Sequence, residues 1–376
     1  MKLIINLSNN LVGGGLQVAL SFLSECRQFD KNEYHVILSP NVARQVDRSL
    51  FGGNFFFIDI PSAPFWKLGR ILPSIEKKIS PDVVFTVFGP SYWRPKTKHL
   101  EGFAISHYIY PESPFWRKLS TLKRIKFFLY KQIKSYYFKK DADYYVVETD
   151  DVNKRLRILL NTDKVYTVSN TCSSHYQNPN CFVLHLRSRL PHEFRLLTIS
   201  SYYPHKNLEI IPKILDVLKD FSGEKHISFV LTLRTEDYNR VIPPQYRESV
   251  YNIGPVLVNE GPSLYQETDA MFLPTLLECF SASYPEAMAM KRPIITSDLD
   301  FAHSICENAA LYFNPLDPND AAEKILKLAE DVLLQKELIE KGEKRLTAFP
   351  SAQKRAECYL ELCKKVLDEK QKKTNN

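Results

Sequence analysis

The chain has no run of about eighteen apolar residues, the length a helix needs to cross a bilayer, so no membrane-spanning helix is expected. Its start, Met1-Lys2-Leu3-Ile4-Ile5-Asn6-Leu7, is too short, and too soon interrupted by Asn9-Asn10, to read as a signal peptide. Close cysteine pairs are missing as well. The 7 cysteines, Cys26, Cys172, Cys181, Cys279, Cys306, Cys358 and Cys363, are scattered singly. Their odd number and spacing argue against a disulfide framework or a zinc site and fit a reducing, cytoplasmic setting. No Asp-x-Asp motif or His/Asp cluster offers a divalent ion a site, so no metal cofactor is expected. The first glycine cluster lacks the Gly-x-Gly-x-x-Gly spacing, and no acid closes the next strand, which argues against a dinucleotide site.

What the sequence does contain is enough apolar material for two ordinary cores: 376 residues, 44% hydrophobic and 25% charged, with a formal net charge of +7. Strand-like runs recur at Leu3–Leu7, Tyr34–Leu38, Phe55–Ile60, Val83–Val87, Phe103–Ser106, Tyr144–Val147 and Val165–Val168. Helical stretches such as 66–78 and 151–160 lie between them, an alternation that predicts a parallel α/β sheet. After Asn170 the pattern lapses into a polar segment carrying Asn178-Pro179-Asn180, read as a linker. It resumes with strands at Phe194–Ile199, Phe229–Leu233, Tyr251–Ile253, Ala270–Leu273, Ile294–Thr296 and Leu311–Phe313. Helices are expected at 208–221, 263–267, 284–290, 321–341 and 352–370. The predicted organisation is a first domain over 1–170, a linker over 171–190, a second domain over 191–350, and a last helix with a polar tail over 351–376.

One stretch concentrates the chemistry. Ala270-Met271-Phe272-Leu273 reads as a buried strand ending at Pro274, and a helix is expected with Ser283 or Tyr284 at its cap and Pro285 in its first position. Glu278 and Glu286 then bracket a strand-to-helix loop whose outward N–H groups and helix dipole favour an anion. A ligand with phosphate at its centre and hydroxyls at both ends, a sugar nucleotide, suits that arrangement. Near the start of the chain, strand, Gly13-Gly14-Gly15 and helix follow one another, as in a phosphate-approach loop.

The Glu, seven residues, Glu spacing of Glu278 and Glu286, within Leu-Pro-Thr-Leu-Leu-Glu-Cys-Phe-Ser…Pro-Glu-Ala-Met-Ala, resembles the signature of the family 4 retaining glycosyltransferases. Other stretches are similar in the same order: Gly13-Gly14-Gly15, Ser106-His107 with Pro111, Ala142–Thr149, Val168-Ser169-Asn170, Pro293–Asp298 and Asn314–Pro318. The resemblance implies a GT-B fold, an α/β architecture of two Rossmann-like domains facing across a cleft, with the C-terminal helix crossing back to the first domain. It also implies roles. Glu286 would bind the ribose hydroxyls and Glu278 the transferred sugar, while His107 would lie near the donor sugar. Lys206 and the backbone around Phe280, Ser281 and Ala282 would hold the diphosphate, where charge develops as the sugar departs. Gly14 and Gly15 would approach the donor, and Gly254, Pro255 and Val256 would meet the nucleotide base. Two departures stand out. Ser201 occupies the place where the family commonly carries an arginine, and Phe280-Ser281-Ala282 replaces a glycine-rich centre.

A second informative stretch is basic. Between Ser113 and Lys140 lie nine Lys or Arg and no Asp or Glu. Leu122, Ile125, Leu129, Ile133 and Tyr136 recur at helical spacing among them. Such a helix suits an anionic bilayer face, with Lys123, Arg124, Lys126, Lys131 and Lys134 toward the membrane; the alternative is a core helix with a solvated basic face. No nucleic-acid motif accompanies the patch, so no nucleic-acid partner is expected. The expectation from sequence is a cytoplasmic, peripherally membrane-bound enzyme. It would transfer a sugar with retention from a UDP- or GDP-linked donor to a glycan or lipid-linked glycan in surface polysaccharide synthesis, without metal. A sugar-nucleotide epimerase, a phosphorylase or a catalytically degenerate scaffold are the rivals.

Overall fold

The computed structural model describes residues 1–9, 13–61, 65–177, 179, 186–221 and 224–374. Asn10-Leu11-Val12 of the first loop, and Asn178, Asn180 and Cys181 of the expected linker, lie outside the described residues. The chain divides into two units. The first comprises Met1–Pro111, Leu119–Asn170 and Pro350–Asn376; the second comprises Glu112–Lys118 and Thr171–Phe349.

The first unit holds a seven-stranded sheet of β1 (Lys2–Leu7), β2 (Glu33–Leu38), β3 (Phe55–Asp59), β4 (Val83–Thr86), β5 (Lys98–Gly102), β6 (Tyr144–Val147) and β7 (Val165–Thr167). Its order is β3-β2-β1-β4-β5-β6-β7, with every pair parallel. Helices cover both faces, which is why Leu3-Ile4-Ile5 of β1, Val83-Val84-Phe85 of β4 and the whole of β6 are continuous apolar runs rather than alternating ones. The last helix, Ala352–Thr374, belongs to this unit. Tyr359 on it packs edge-on to Phe22 at 5.4 Å and beside Phe85 at 5.3 Å.

The second unit repeats the plan with β8 (Glu193–Thr198), β9 (His226–Leu231), β10 (Val250–Asn252), β11 (Ala270–Leu273), β12 (Ile294–Ser297) and β13 (Leu311–Phe313), in the parallel order β10-β9-β8-β11-β12-β13. In both sheets the strand order reverses once, between β1 and β4 and between β8 and β11. Loops leaving neighbouring strands there turn to opposite faces and open a crevice at the strand ends, the usual ligand position in such sheets.

Three sequence expectations are corrected. The strand expected at Phe103–Ser106 is instead β5, whose Lys-His-Leu-Glu-Gly run hid its character. Its His99 and Glu101 are buried but held neutral. Burial lowers His99 to about 4 while Thr86 Oγ1 (2.8 Å) and the Asp141 carbonyl (2.7 Å) take its ring nitrogens. Burial raises Glu101 to about 8, and its carboxyl accepts the Ser91 N–H at 2.7 Å. The single helix expected over 321–341 is two, Pro318–Glu330 and Val332–Leu346. Asp331 leaves helical angles (φ −101°, ψ 93°) and caps the second by accepting the Leu334 N–H at 2.9 Å. The helix after the paired-glutamate loop begins at Ser283, with Ala282 at its cap, so Pro285 is its third residue rather than its first. Proline is tolerated there because first-turn N–H groups have no helical partner.

Candidate functional site

In the second unit the crevice between β8 and β11 is stitched from its base. Thr198 Oγ1, the last residue of β8, donates to the Phe272 carbonyl of β11 at 2.5 Å, and Thr296 Oγ1 of β12 donates to the Leu273 carbonyl at 2.9 Å. The loop after β8 runs through exposed Ser201 into a short 3-10 turn, Pro204–Lys206, that ends at Asn207 in the left-handed region (φ 57°). Asn207 Nδ2 donates to the Pro315 carbonyl at 2.8 Å, which anchors the turn. The loop after β11 is tied to this turn. Leu276 N–H donates to the His205 carbonyl at 2.7 Å, Thr275 Oγ1 donates to the same oxygen at 3.2 Å, and Ser113 Oγ donates to the Leu276 carbonyl at 2.7 Å.

That stitching brings Lys206 and Glu278 together. Lys206 Nζ lies 2.5 Å from Glu278 Oε1, with both side chains about 15% exposed (15% and 14%). Thr275 Oγ1 is 3.2 Å from the same carboxylate oxygen. A flexible cation and an acid that the sequence places 72 positions apart are thus held in one orientation.

Glu286 sits on the helix Ser283–Ala289. Burial raises its carboxyl to about 7, and a hydrogen bond from Tyr176 pulls it back down. Tyr176 lies on the short helix Ser174–Gln177 and stacks edge-on with Tyr265 at 5.9 Å, whose hydroxyl donates to the Ser283 carbonyl at 3.2 Å. Tyr176 reaches this place because Gly261 has no side chain: a Cβ there would come within 1.9 Å of the tyrosine hydroxyl. The N–H groups of Tyr284 and Glu286 are spent on the Ser281 and Ala282 carbonyls, at 3.2 and 3.0 Å. Ser281 is buried, and half-buried Phe280 packs edge-on to Phe349 at 6.0 Å.

The expected base-binding segment follows β10. Gly254 has φ 80°, a conformation that suits glycine, with open space where a Cβ would stand. Asn252 locks the loops after β9 and β10 by accepting the Leu233 N–H at 2.8 Å and donating to the Leu233 carbonyl at 2.9 Å. Pro255 is exposed and Val256 half-buried. Among the described residues no hydrogen bond joins Ser201, Gly254, Pro255 or Val256 to the Lys206–Glu278 pair. Tyr176, Gly261, Thr275, Ser113 and Asn252 were not singled out in the sequence. They act on the site through contacts between segments far apart along the chain, and no local pattern marks them.

In the first unit the helix Gly13–Glu25 begins with the glycines after β1. A Cβ on Gly15 would touch the Phe88 ring at 3.5 Å, whereas Gly14 faces open space. His107 lies in the turn Ser106–Tyr108 after β5, its ring stacked on Phe127 at 5.2 Å and 8°. Burial lowers its pKa to about 4, aided by the nearby Lys134 charge.

The basic helix, Thr121–Asp141, is turned the opposite way from a core helix. Its apolar stripe faces out: Leu122 is 79% exposed, Ile125 52%, Leu129 55%, Ile133 50% and Tyr136 59%. Lys123, Arg124 and Lys126 are exposed beside it. Lys131 and Lys134 are not on that surface. They are half-buried on the inner side with Phe127 and the fully buried Phe138, and loss of hydration lowers the pKa of both ammonium groups. No helix among the described residues is long and apolar enough to cross a membrane.

Comparison with known proteins bears on the second unit most directly. Residues 193–331 match the family model described as glycosyl transferases group 1. A stretch of 126 residues, 32% of this chain, is 29% identical to the O-antigen chain mannosyltransferase RfbU of Salmonella typhimurium, and the match spans 34% of that relative. Among solved structures, a glycosyltransferase from Rickettsia africae is similar with TM-score 0.71 and 16% identity, over 97% of this chain and 98% of that one. Anabaena Alr3699/HepE in complex with UDP-glucose is similar with TM-score 0.70 and 11% identity, over 96% and 99%. These structural likenesses show the fold, the pair of Rossmann-like units expected from the resemblance.

Proposed function

We propose, for a chain whose residues 193–331 match the model of the group 1 glycosyl transferases, that it is a retaining hexosyltransferase. It takes a sugar from a UDP- or GDP-linked donor to a glycan or lipid-linked glycan acceptor in bacterial surface polysaccharide synthesis. The observation that carries the reading is the Lys206–Glu278 pair at the β8/β11 switch point. A cation and a carboxylate fixed side by side at that crevice suit a ligand with phosphate next to sugar hydroxyls: Lys206 for the diphosphate, Glu278 for the sugar, and Glu286 for the ribose. The N–H groups of the 280–283 loop add donors toward the leaving group, where negative charge grows in the transition state. His107 has the donor-sugar role that the family resemblance implies, and the departing phosphate oxygen accepts the acceptor's proton, so no separate general base is required. Gly14 and Gly15 let backbone approach the donor, and Gly254, Pro255 and Val256 face the base.

The O-antigen name of the curated relative supports a surface-polysaccharide acceptor, and the UDP-glucose complex of the Anabaena protein supports a nucleotide-sugar donor. The outward apolar stripe flanked by Lys123, Arg124 and Lys126 supports docking on an anionic bilayer, where a lipid-linked acceptor resides. We expect transfer without a divalent ion.

A panel of UDP-, GDP- and ADP-sugars tests the reading, first by thermal shift and then by product analysis with an added acceptor. A glycosylated acceptor of retained anomeric configuration is the expected product. Epimerised sugar nucleotide or free sugar phosphate would mean an epimerase or a phosphorylase. The exposed Ser201, where a cation would serve the leaving group, favours one further reading, a scaffold without turnover. Failure to bind or hydrolyse every donor would establish that reading.

A further inference from the structure

The inner face of the basic helix carries two charges that the fold leaves without partners. Phe127, Lys131, Lys134 and Phe138 follow at steps of four, three and four, which places them on one side of the helix. The two aromatics are spoken for: Phe127 stacks on His107 at 5.2 Å, and Phe138 packs against Phe103 at 5.2 Å. Between them stand Lys131 and Lys134, half-buried, and neither makes a hydrogen bond or ion pair among the described residues. Half-buried Arg155, elsewhere in the first unit, is by contrast paired with Asp151 at 3.0 Å. The segment from Ser113 to Lys140 contributes no carboxylate at all. Removing ammonium groups from water without a counter-charge is unfavourable, and an anionic ligand would relieve that cost.

We propose that Lys131 and Lys134 form an anion site in the first unit that takes a phosphate or diphosphate group. Two point cations match the charge of such a group. The outer face of the same helix is the apolar stripe, so the site lies about one helix diameter, roughly 10 Å, beneath the surface that would meet lipid headgroups. The inference deepens the reading above by naming the chemistry of a substrate group. It rests on that reading only for the statement that the phosphate belongs to a substrate.

Calorimetric titration of the full chain with inorganic pyrophosphate, and with dodecyl diphosphate in detergent, tests the site without any sugar transfer. Binding to the wild type is expected, weakened at least about tenfold in Lys131→Met/Lys134→Met. That variant should also have a higher Tm before pyrophosphate is added, because two desolvated charges are gone. Lys123→Gln/Lys126→Gln on the outer face should bind pyrophosphate as the wild type does. Tighter binding of the dodecyl form supports a lipid-linked source for the phosphate, and equal binding supports a soluble one. Absence of pyrophosphate binding, equal affinity in the double methionine variant, or a lowered Tm in that variant would each overturn the proposal. Loss of this site would leave a donor-binding second unit intact, so its failure is separable from failure of the transferase reading.

Discussion

Lys206 Nζ lies 2.5 Å from Glu278 Oε1, at the ends of β8 and β11 where the strand order of the second sheet reverses. Each residue sits in a loop tied to the other through the His205 carbonyl, so the pair is a property of both loops rather than of either. Removing one partner strands a largely desolvated charge. Lys206→Met and Glu278→Gln are each expected to lower stability by about 2–4 kcal/mol, and the combined Lys206→Met/Glu278→Gln variant by less than the sum. Chemical denaturation of the three variants measures the coupling, and strict additivity would remove the pair from the account. Turnover should fall by far more than for an exposed lysine such as Lys123.

Glu286 gives a pH signature. Its folded pKa, about 7, lies above the ordinary carboxylate value because of burial. Between the unfolded and folded pKa values the unfolded chain has lost the proton and the folded chain keeps it, so stability falls as pH rises through that window. The Glu286→Gln variant stays neutral throughout. Its stability relative to wild type should therefore rise from pH 4.5 to 7, by up to roughly 3 kcal/mol. A flat difference across the window would place Glu286 in solvent. Glu286→Ala should weaken nucleotide binding by about 1.5–3 kcal/mol in calorimetry.

Tyr176 tunes that carboxylate. Because its hydrogen bond lowers the Glu286 pKa, Tyr176→Phe should move the pH midpoint above about 7. Gly261→Ala puts a methyl on the tyrosine hydroxyl and should cost about 1–3 kcal/mol of stability and shift the midpoint the same way. The midpoint is read from the pH dependence of unfolding. An unchanged midpoint in both variants would show that the hydroxyl does not reach Glu286.

The outer stripe of the basic helix makes a membrane prediction. Leu129→Asp/Ile133→Asp should lower partitioning onto anionic vesicles by about tenfold or more, with hydrolysis of a soluble donor unchanged. Replacing Lys123, Arg124 and Lys126 by Glu should do the same, and only the binding set by these cations should depend on salt. Cosedimentation at two ionic strengths separates the apolar from the electrostatic part.

Chelation completes the set. Added EDTA should leave the rate of transfer unchanged, and a rate restored only by magnesium or manganese would overturn the expectation of metal-free chemistry.

The sequence by itself determined the alternation of strands and helices, because buried parallel strands leave unbroken apolar runs. It also marked the paired-glutamate loop, because an apolar strand, a proline and a helix start are all local patterns. It misjudged β5, where His99 and Glu101 are buried in neutral form: only burial by neighbouring strands makes that charge state the stable one. It found the five-residue stripe from Leu122 to Tyr136, yet put Lys131 and Lys134 on the wrong side of the helix. Periodicity states which residues share a face and says nothing about what lies against that face. Tertiary structure alone decided that the stripe points outward, that Lys206 meets Glu278 across two loops, and that Tyr176 slips past Gly261 to Glu286. Each depends on contacts between segments far apart in the chain, which no local pattern encodes.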